Sequence, residues 1–243
     1  MAIRVAVILC MVVLGAGGYI LNAADADPDP STIISNHLTA MGGKEAIAAV
    51  HDKTVKGTIT ITGMSGPITG TIETQQKSPN MAHNFIDVGV AQSETWFDGE
   101  KGYHVDPVRG SGPFTDAEVE EAKQVFVMSP FLTYQERGLK ARYVGKDTVD
   151  GKEALVVELS DPKGTATTYY FDAATSKLVR SVAPSSTPGE GDRTVLFSDY
   201  REVNGLQHAF KISYSTAAMT IDVAVDSIQV NTGLDDSVFR HKE

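Results

Sequence analysis

The stretch Gly63-Met64-Ser65-Gly66-Pro67 is the part of the chain that comes nearest to a catalytic nucleophile motif. A nucleophile elbow has the pattern G-x-S-x-G and lies between a strand and a helix, which together expose the serine hydroxyl. Here Pro67 occupies the position of the second glycine, and no strand-to-helix pattern surrounds the serine. We therefore interpret the stretch as a turn.

Histidines and carboxylates are the other residues that could do chemistry. Glu118, Glu120 and Glu121 belong to a predicted helix, where a run of charge is typical of a solvated face, whereas general acid–base catalysis needs carboxylates paired in a cleft. Six histidines are scattered along the chain without the spacing of zinc ligands, at His37, His51, His83, His104, His208 and His241. The sequence therefore predicts no catalytic residue, no metal site and no cofactor, and an envelope hydrolase stays open only as a third hypothesis.

The N-terminal segment differs in composition from the rest of the chain. Arg4 is the only charged residue before Asp25, and residues 5–21 are almost entirely apolar. This pattern is typical of a signal peptide, with cleavage expected after Ala24 or Ala26. An uncleaved membrane anchor is the alternative, and both place the folded part outside the cytoplasm. We predict three segments: a signal peptide over residues 1–24, a linker over 25–30 and one folded domain over 31–243.

Charge and cysteine content exclude further classes. The chain has 31 acidic and 21 basic residues, which gives a formal net charge of -10. Nucleic-acid phosphates are bound by clustered Lys and Arg, and the sequence has no such cluster, so we expect no nucleic-acid partner. The single cysteine, Cys10, lies inside the predicted signal peptide, so the mature domain has no disulfide or thiolate metal site and must be stabilised by packing.

Alternation with a period of two begins near residue 54. Val55, Ile59 and Ile61 fall on one face of the first predicted strand, and threonines dominate the other face. Three turn signals separate later apolar runs, at Phe97-Asp98-Gly99, Val149-Asp150-Gly151 and Val203-Asn204-Gly205. Since no helix of crossover length separates most of these runs, the sequence predicts an antiparallel sheet of about ten strands.

Helical periodicity is confined to short segments. Ser31 is a candidate N-cap for a first helix that ends at Gly42, and residues 43–50 are interpreted as a second short helix. Thr115 to Glu118 forms a capping-box pattern and predicts a third helix that ends near Met128.

These few helices are too small to cover one face of the predicted sheet. Ten strands of usual length present a face of roughly 1,200 Å², and three short helices cover about 550 Å² of it. The remaining apolar face must be covered by curling of the sheet into a partial barrel or by division into a sandwich. Periodicity favours the two equally, and only the partial barrel leaves a lined interior.

Several turn and strand-end patterns together resemble a known family. They are His37-Leu38-Thr39-Ala40-Met41-Gly42-Gly43-Lys44-Glu45-Ala46, Val55-Lys56-Gly57, Trp96-Phe97-Asp98-Gly99, Val149-Asp150-Gly151-Lys152-Glu153-Ala154, Tyr170-Phe171-Asp172, Leu178-Val179-Arg180, Ser198-Asp199-Tyr200-Arg201 and Gly205-Leu206. In order and spacing, over about residues 31–239, the chain resembles the outer-membrane lipoprotein-sorting family with its LolA- and LolB-like members. The resemblance implies a mainly β fold, in which one curved antiparallel sheet forms an incomplete β-barrel capped by about three short α-helices. It also implies a periplasmic location and an apolar cavity for acyl chains.

With no catalytic group predicted, apolar residues are the candidates for function. The eleven predicted ligand-binding residues are Ile59, Ile61, Ile72, Phe85, Trp96, Phe126, Met128, Phe131, Leu132, Tyr169 and Phe171. We expect the strand residues to face the interior and Trp96, Phe126, Met128, Phe131 and Leu132 to lie near its mouth. The expected protein is a monomeric periplasmic carrier of a lipid, a lipoprotein acyl chain or another hydrophobic molecule, with an envelope protein as a further candidate partner. The alternative is a non-catalytic envelope interaction module with a packed core and no ligand.

Overall fold

A computed structural model describes residues 27–63, 66–107, 110–184 and 191–242. Over these residues, all the strands belong to one antiparallel sheet. The strands are β1 (Asp52–Gly63), β2 (Gly66–Lys77), β3 (Met81–Asp87), β4 (Gln92–Phe97), β5 (Gly102–Asp106), β6 (Gly110–Pro113), β7 (Lys140–Val149), β8 (Lys152–Ser160), β9 (Ala166–Asp172), β10 (Leu178–Pro184), β11 (Asp192–Val203), β12 (Leu206–Ser215) and β13 (Thr220–Val230).

The order of the strands explains why a connecting segment crosses the open side of the sheet. Strands β1 to β6 extend in sequence towards one edge of the sheet, and β7 to β13 return from the other edge, with β1 hydrogen-bonded to β13 in the middle. Strands β6 and β7 therefore form opposite edges, and the sheet is not closed. Because residues 114–139 connect these two edges, they must cross the open side of the sheet.

Short helices lie before β1 and within this crossing segment. They are α1 (Pro30–Ala40), α2 (Lys44–Ala48), α3 (Asp116–Val125) and α4 (Pro130–Thr133), followed at the C-terminal end by a 3-10 helix (Asp236–Phe239). The capping box of α3 is confirmed, since the Glu118 backbone N–H donates to Thr115 Oγ1 and the Thr115 N–H donates to Glu118 Oε2. The helix ends at Val125, earlier than expected.

The start of α1 differs from the prediction. Asp29, not Ser31, is the N-cap, and its carboxylate accepts a hydrogen bond from the Ser31 backbone N–H. Pro30 then occupies the first helical position, where its fixed φ suits a helix and its missing N–H leaves no donor unsatisfied. Helix α1 therefore begins at Pro30, the last residue of the predicted linker.

Alternation along the paired strands defines an inner, concave face and an outer face. On β1 the inner face carries Lys53, Val55, Ile59 and Ile61, and directly paired residues of neighbouring strands share that face. On β2, Gly70 pairs with Ile59 and therefore lies on the inner face. Ile72 lies two residues further along the same strand, so it is on the inner face as well.

Two apolar clusters form on the inner face. The helix-covered cluster joins α1, α4 and Tyr134 to strands β8 and β9, and consists of Ile33, Ile34, Leu38, Phe131, Tyr134, Val157, Leu159 and Phe171. The strand-only cluster is built on β1, β12 and β13, and its buried members are Ile59, Phe210, Val223 and Val225. No helical residue of the described chain belongs to the second cluster, so the helices cover only one part of the inner face.

A buried carboxylate fixes the start of β1. Asp52 is 4% exposed and accepts hydrogen bonds from the backbone N–H groups of Thr232, Gly233 and Leu234, at 2.8, 2.9 and 3.4 Å. Burial acts to raise the pKa of Asp52, but these hydrogen bonds outweigh it, so the pKa lies below its ordinary value. The loop after β13 is thereby held against β1, next to Lys53.

The incomplete, helix-capped sheet is confirmed, and the sandwich alternative is wrong, because every described strand lies in one sheet. The predicted signal peptide lies outside the described residues, as do Met64 and Ser65 of the predicted turn. None of the helices in the described ranges is both long and apolar enough to cross a membrane.

Candidate functional site

A cavity of about 200 Å³ lies where the helices meet the inner face. Its walls come from α1, α2, residues 128–132 around α4, and strands β1 and β12. Most of the lining is apolar, and its polar side chains are those of His37, Lys53, Ser129, Gln207 and His208. The described residues around it include no carboxylate.

Two further cavities adjoin the first across α4. One, of about 280 Å³, lies towards β8 to β11, and the other, of about 400 Å³, lies between α2 and α3. Pro130 lines the first and second cavities, and Ser129 and Leu132 line the first and third. The volumes of the first two cavities lie below the range of about 300–1,000 Å³ found for ligand pockets, and the third lies near its lower end. The short segment around α4 is therefore a partition between spaces that would be larger if it moved.

His37 forms the floor of the first cavity. Its Nδ1 lies 3.0 Å from the backbone carbonyl of Ser176, so Nδ1 carries the proton and donates. Its ring centroid lies 4.9 Å from that of Phe131 and 5.0 Å from that of Phe171. Burial lowers the pKa of His37 to about 4, since the hydrogen bond to Ser176 only partly offsets the lost hydration of the charged ring. At neutral pH His37 is an uncharged part of the wall.

Lys53 and His208 reach the same cavity from β1 and β12. Both are partly buried on the inner face, and burial lowers the pKa of the Lys53 ammonium. Burial, and secondarily the charge of Lys53, lowers the pKa of His208 to about 4. Nε2 of His208 is buried without a hydrogen-bond partner in the described part of the chain. The cavity thus combines an apolar wall with one cation and one unused imidazole nitrogen.

The predicted ligand-binding residues fall into several groups. Met128, Phe131 and Leu132 line the first cavity together, and Tyr169 lines the second. Phe171 is only 1% exposed and packs against Phe131, with ring centroids 5.4 Å apart, so it supports the cavity from beneath.

Phe126 and three isoleucines lie elsewhere on the inner side. Phe126 packs on Phe97, with centroids 5.9 Å apart, and lines none of these cavities. Ile59, Ile61 and Ile72 belong to or contact the strand-only cluster. Their part in ligand binding stays a prediction.

The register of β3 and β4 disagrees with the prediction that Phe85 faces the interior and Trp96 lies near its mouth. Phe85 is directly paired with Glu73 and Glu94, and Trp96 with His83, which places both on the outer face. The inward residues beside them are Ile86 and Phe97, and Trp96 instead packs on the outer side, 5.4 Å from the ring of His83. Neither Phe85 nor Trp96 lines any of the three cavities.

Local sequence patterns do not identify Lys53 or His208 as residues of the site. Lys53 lies two residues before Val55 and is therefore in step with the apolar residues of the inner face, which was a signal available in the sequence. His208 is similarly in step with Leu206 and Phe210 on β12.

Comparison with known proteins shows the fold class. No protein-family model and no curated protein matches the sequence. A DUF1329 family protein from Desulfovibrio piger is similar in structure, with a TM-score of 0.60, 12% identity and coverage of 88% of this chain and 98% of the other. A LolA superfamily protein from Nitrosomonas europaea has a TM-score of 0.59, 10% identity and the same two coverages, 88% and 98%.

A third solved structure has a similar fold. It is an outer membrane lipoprotein-sorting protein domain from Vibrio parahaemolyticus, with a TM-score of 0.54, 11% identity and coverage of 86% of this chain and 95% of that domain. Over nearly its whole described length, the chain therefore has a LolA/LolB-like fold.

Proposed function

We propose that this protein is a non-catalytic periplasmic carrier that binds a hydrophobic ligand between the helices and the inner face of the sheet. The observation that carries the proposal is the group of three adjoining cavities, each of which is lined in part by the segment around α4. The similarity in fold to a lipoprotein-sorting domain supports a lipid or a lipoprotein acyl chain as the ligand. Residues 1–24 would direct export.

Burial of an alkyl chain supplies enough affinity for such a carrier. At about 25 cal/mol per Å², placing 400 Å² of apolar ligand surface in the interior contributes on the order of 10 kcal/mol. Loss of translational freedom and ordering of the chain consume a large part of this. The remainder is sufficient for reversible binding, with no covalent step.

The crossing segment is the element that controls access. It connects opposite sheet edges through α3 and α4, so it can move without breaking strand pairs. Val125 on α3 is 49% exposed and lines the second cavity, which is consistent with a wall that is incompletely packed. We propose that residues 115–134 act as a lid whose movement joins the cavities and releases the ligand.

A bulky residue at position 132 tests whether the ligand occupies the first and third cavities. Leu132 lines both the first and third cavities, so Leu132→Trp would fill the space on either side of it. We expect the variant to bind the uncharged fluorophore N-phenyl-1-naphthylamine at least about 10-fold more weakly than the wild-type protein, because its apolar burial is lost. Fluorescence titration gives the dissociation constant.

Leu196→Trp is the matched control, because Leu196 is 36% exposed and is paired with Arg180 on the outer face. It should leave binding of the fluorophore unchanged, and circular dichroism should show the same fold for all three proteins. Equal affinity of wild-type and Leu132→Trp protein, or no binding by either, would contradict the proposal.

An exposed apolar row favours the interaction module as a second candidate. Ile68, Ile61, Ile221 and Tyr214 are successive cross-strand neighbours at one end of the inner face, and Ile68 and Tyr214 are 43% and 38% exposed. Such a row could contact an envelope protein. This candidate gains support if the fluorophore does not bind.

A further inference from the structure

Lys53 is a charged residue in a position that the fold otherwise gives to apolar side chains. It belongs to the inner face of β1 with Val55, Ile59 and Ile61. Its side chain lines the first cavity together with Leu206 and Leu132. A lysine at this position needs a reason, because an ammonium group loses hydration when it is placed against an apolar wall.

The Lys53 ammonium has no partner among the described residues, and no carboxylate of those residues lines its cavity. The adjacent Asp52 lies on the other face of β1, and its carboxylate is occupied by the 232–234 loop. Two other lysines show the contrast. Both form ion pairs with carboxylates. Nζ of Lys56, on the outer face of β1, lies 3.0 Å from Glu73 Oε2, and Nζ of Lys77 lies 2.7 Å from Asp236 Oδ1.

His208 provides a second group of the same kind. Its Nε2 is buried with no partner in the described chain, and the imidazole lines the same cavity and lies close enough to Lys53 to respond to its charge. A buried polar nitrogen that is left unsatisfied is unfavourable, and so is an unpaired cation beside it. A single anion bound between them would satisfy both groups, with the neutral His208 ring in the tautomer that carries its proton on Nε2.

We propose that Lys53 and His208 form a headgroup site, and that the ligand is an amphiphile with one anionic group, such as a long-chain carboxylate. The anion accepts charge-assisted hydrogen bonds from the Lys53 ammonium and from the His208 imidazole N–H. The alkyl chain extends along Leu206, Met128 and Leu132 towards the partition at α4. This inference rests on the proposed carrier function and specifies which ligand class the carrier selects.

Calorimetric titration with dodecanoate and with 1-dodecanol at neutral pH tests the headgroup site. The two compounds share a chain length and differ in the charged group. Lys53→Met removes the cation but keeps an unbranched side chain. We expect it to weaken dodecanoate binding about 10-fold or more and to leave dodecanol binding unchanged or tighter.

Two control variants separate charge from folding. Lys56→Met lies on the outer face of the same strand and should alter neither affinity. Lys53→Arg keeps a cation and should retain most of the affinity for dodecanoate. Lys53→Met should also unfold at a temperature equal to or above that of the wild-type protein without ligand, since an unpaired, partly buried charge is removed.

The outcomes distinguish this inference from the carrier function. If wild-type protein binds both compounds and Lys53→Met weakens them equally or not at all, the headgroup site is wrong and the carrier remains. If wild-type protein binds neither compound, the carrier function fails and the headgroup site fails with it.

Discussion

Replacing Phe171 with alanine is expected to lower the free energy of unfolding by about 4 kcal/mol. Phe171 is 1% exposed and lies at the centre of the helix-covered cluster, in contact with the rings of Phe131 and His37. Truncation removes the apolar contacts that join β9 to α1 and α4, and the tight packing around the site leaves a cavity that the backbone cannot close. Unfolding in urea, followed by circular dichroism, measures the change.

Phe85→Ala is the matched control for this substitution. Phe85 lies partly exposed on the outer face of β3, between Glu73 and Glu94. Its truncation should cost about 1 kcal/mol, because only part of the ring is removed from water. Similar losses for the two variants would mean that the helices do not pack on β9 as described.

Stability should decline by about 3 kcal/mol as the pH falls from 6.5 to about 4, through the titration of His37 alone. Burial holds the pKa of His37 near 4, below its ordinary value of 6.5. Between these values the unfolded chain binds a proton that the folded protein does not, so the contribution is complete above pH 6.5 and is lost on acidification. His208 acts in the same direction, since its pKa is also lowered to about 4, and Lys53 lines the same cavity.

His37→Gln isolates this effect. The glutamine amide can still donate to a carbonyl, but it does not titrate, so the variant should lose clearly less stability than the wild-type protein between pH 6.5 and pH 4.5. His51→Gln, at an exposed position, should keep the wild-type dependence. Parallel pH profiles for His37→Gln and wild type would contradict a buried neutral His37. Loss of stability below pH 4 is a separate matter, because Asp52 and Asp172 have lowered pKa values and titrate there.

Most of the fold could be predicted from local patterns. Alternation and the Asp-Gly and Asn-Gly turns identify consecutive hairpins, and these account for all sheet neighbours except the β1–β13 pair. That pair joins the two ends of the domain, and no local signal specifies it. α4 is four residues long and too short to show a helical period, and β6 is the Gly110–Pro113 segment, with no apolar alternation.

Adjacent apolar residues explain why the sequence did not predict the orientation of Phe85 and Trp96. Phe85 is followed by Ile86, and Trp96 by Phe97, so period-two alternation fits either member of each pair as the inward one. The choice depends on register, since a shift of one residue exchanges the two faces. Pairing of Ile86 with Ile72 and of Phe97 with Ala82 decides it, and this pairing is a tertiary property.

The polar residues of the first cavity could not be predicted from local sequence patterns for a similar reason. Lys53 and His208 are distant in sequence and meet because β1 and β12 both flank β13. Each is in step with apolar neighbours on its own strand, but only the pairing shows that the two share one cavity.

The most direct test of the carrier function is the identity of what the native protein holds. The full chain would be expressed with its N-terminal segment, isolated from the cell envelope without detergent and extracted with organic solvent, and the extract would be analysed by mass spectrometry. We expect one class of long-chain compound in close to equimolar amount, and less of it from Leu132→Trp. An extract free of such compounds, from folded protein that also takes up none when they are added, would contradict a carrier.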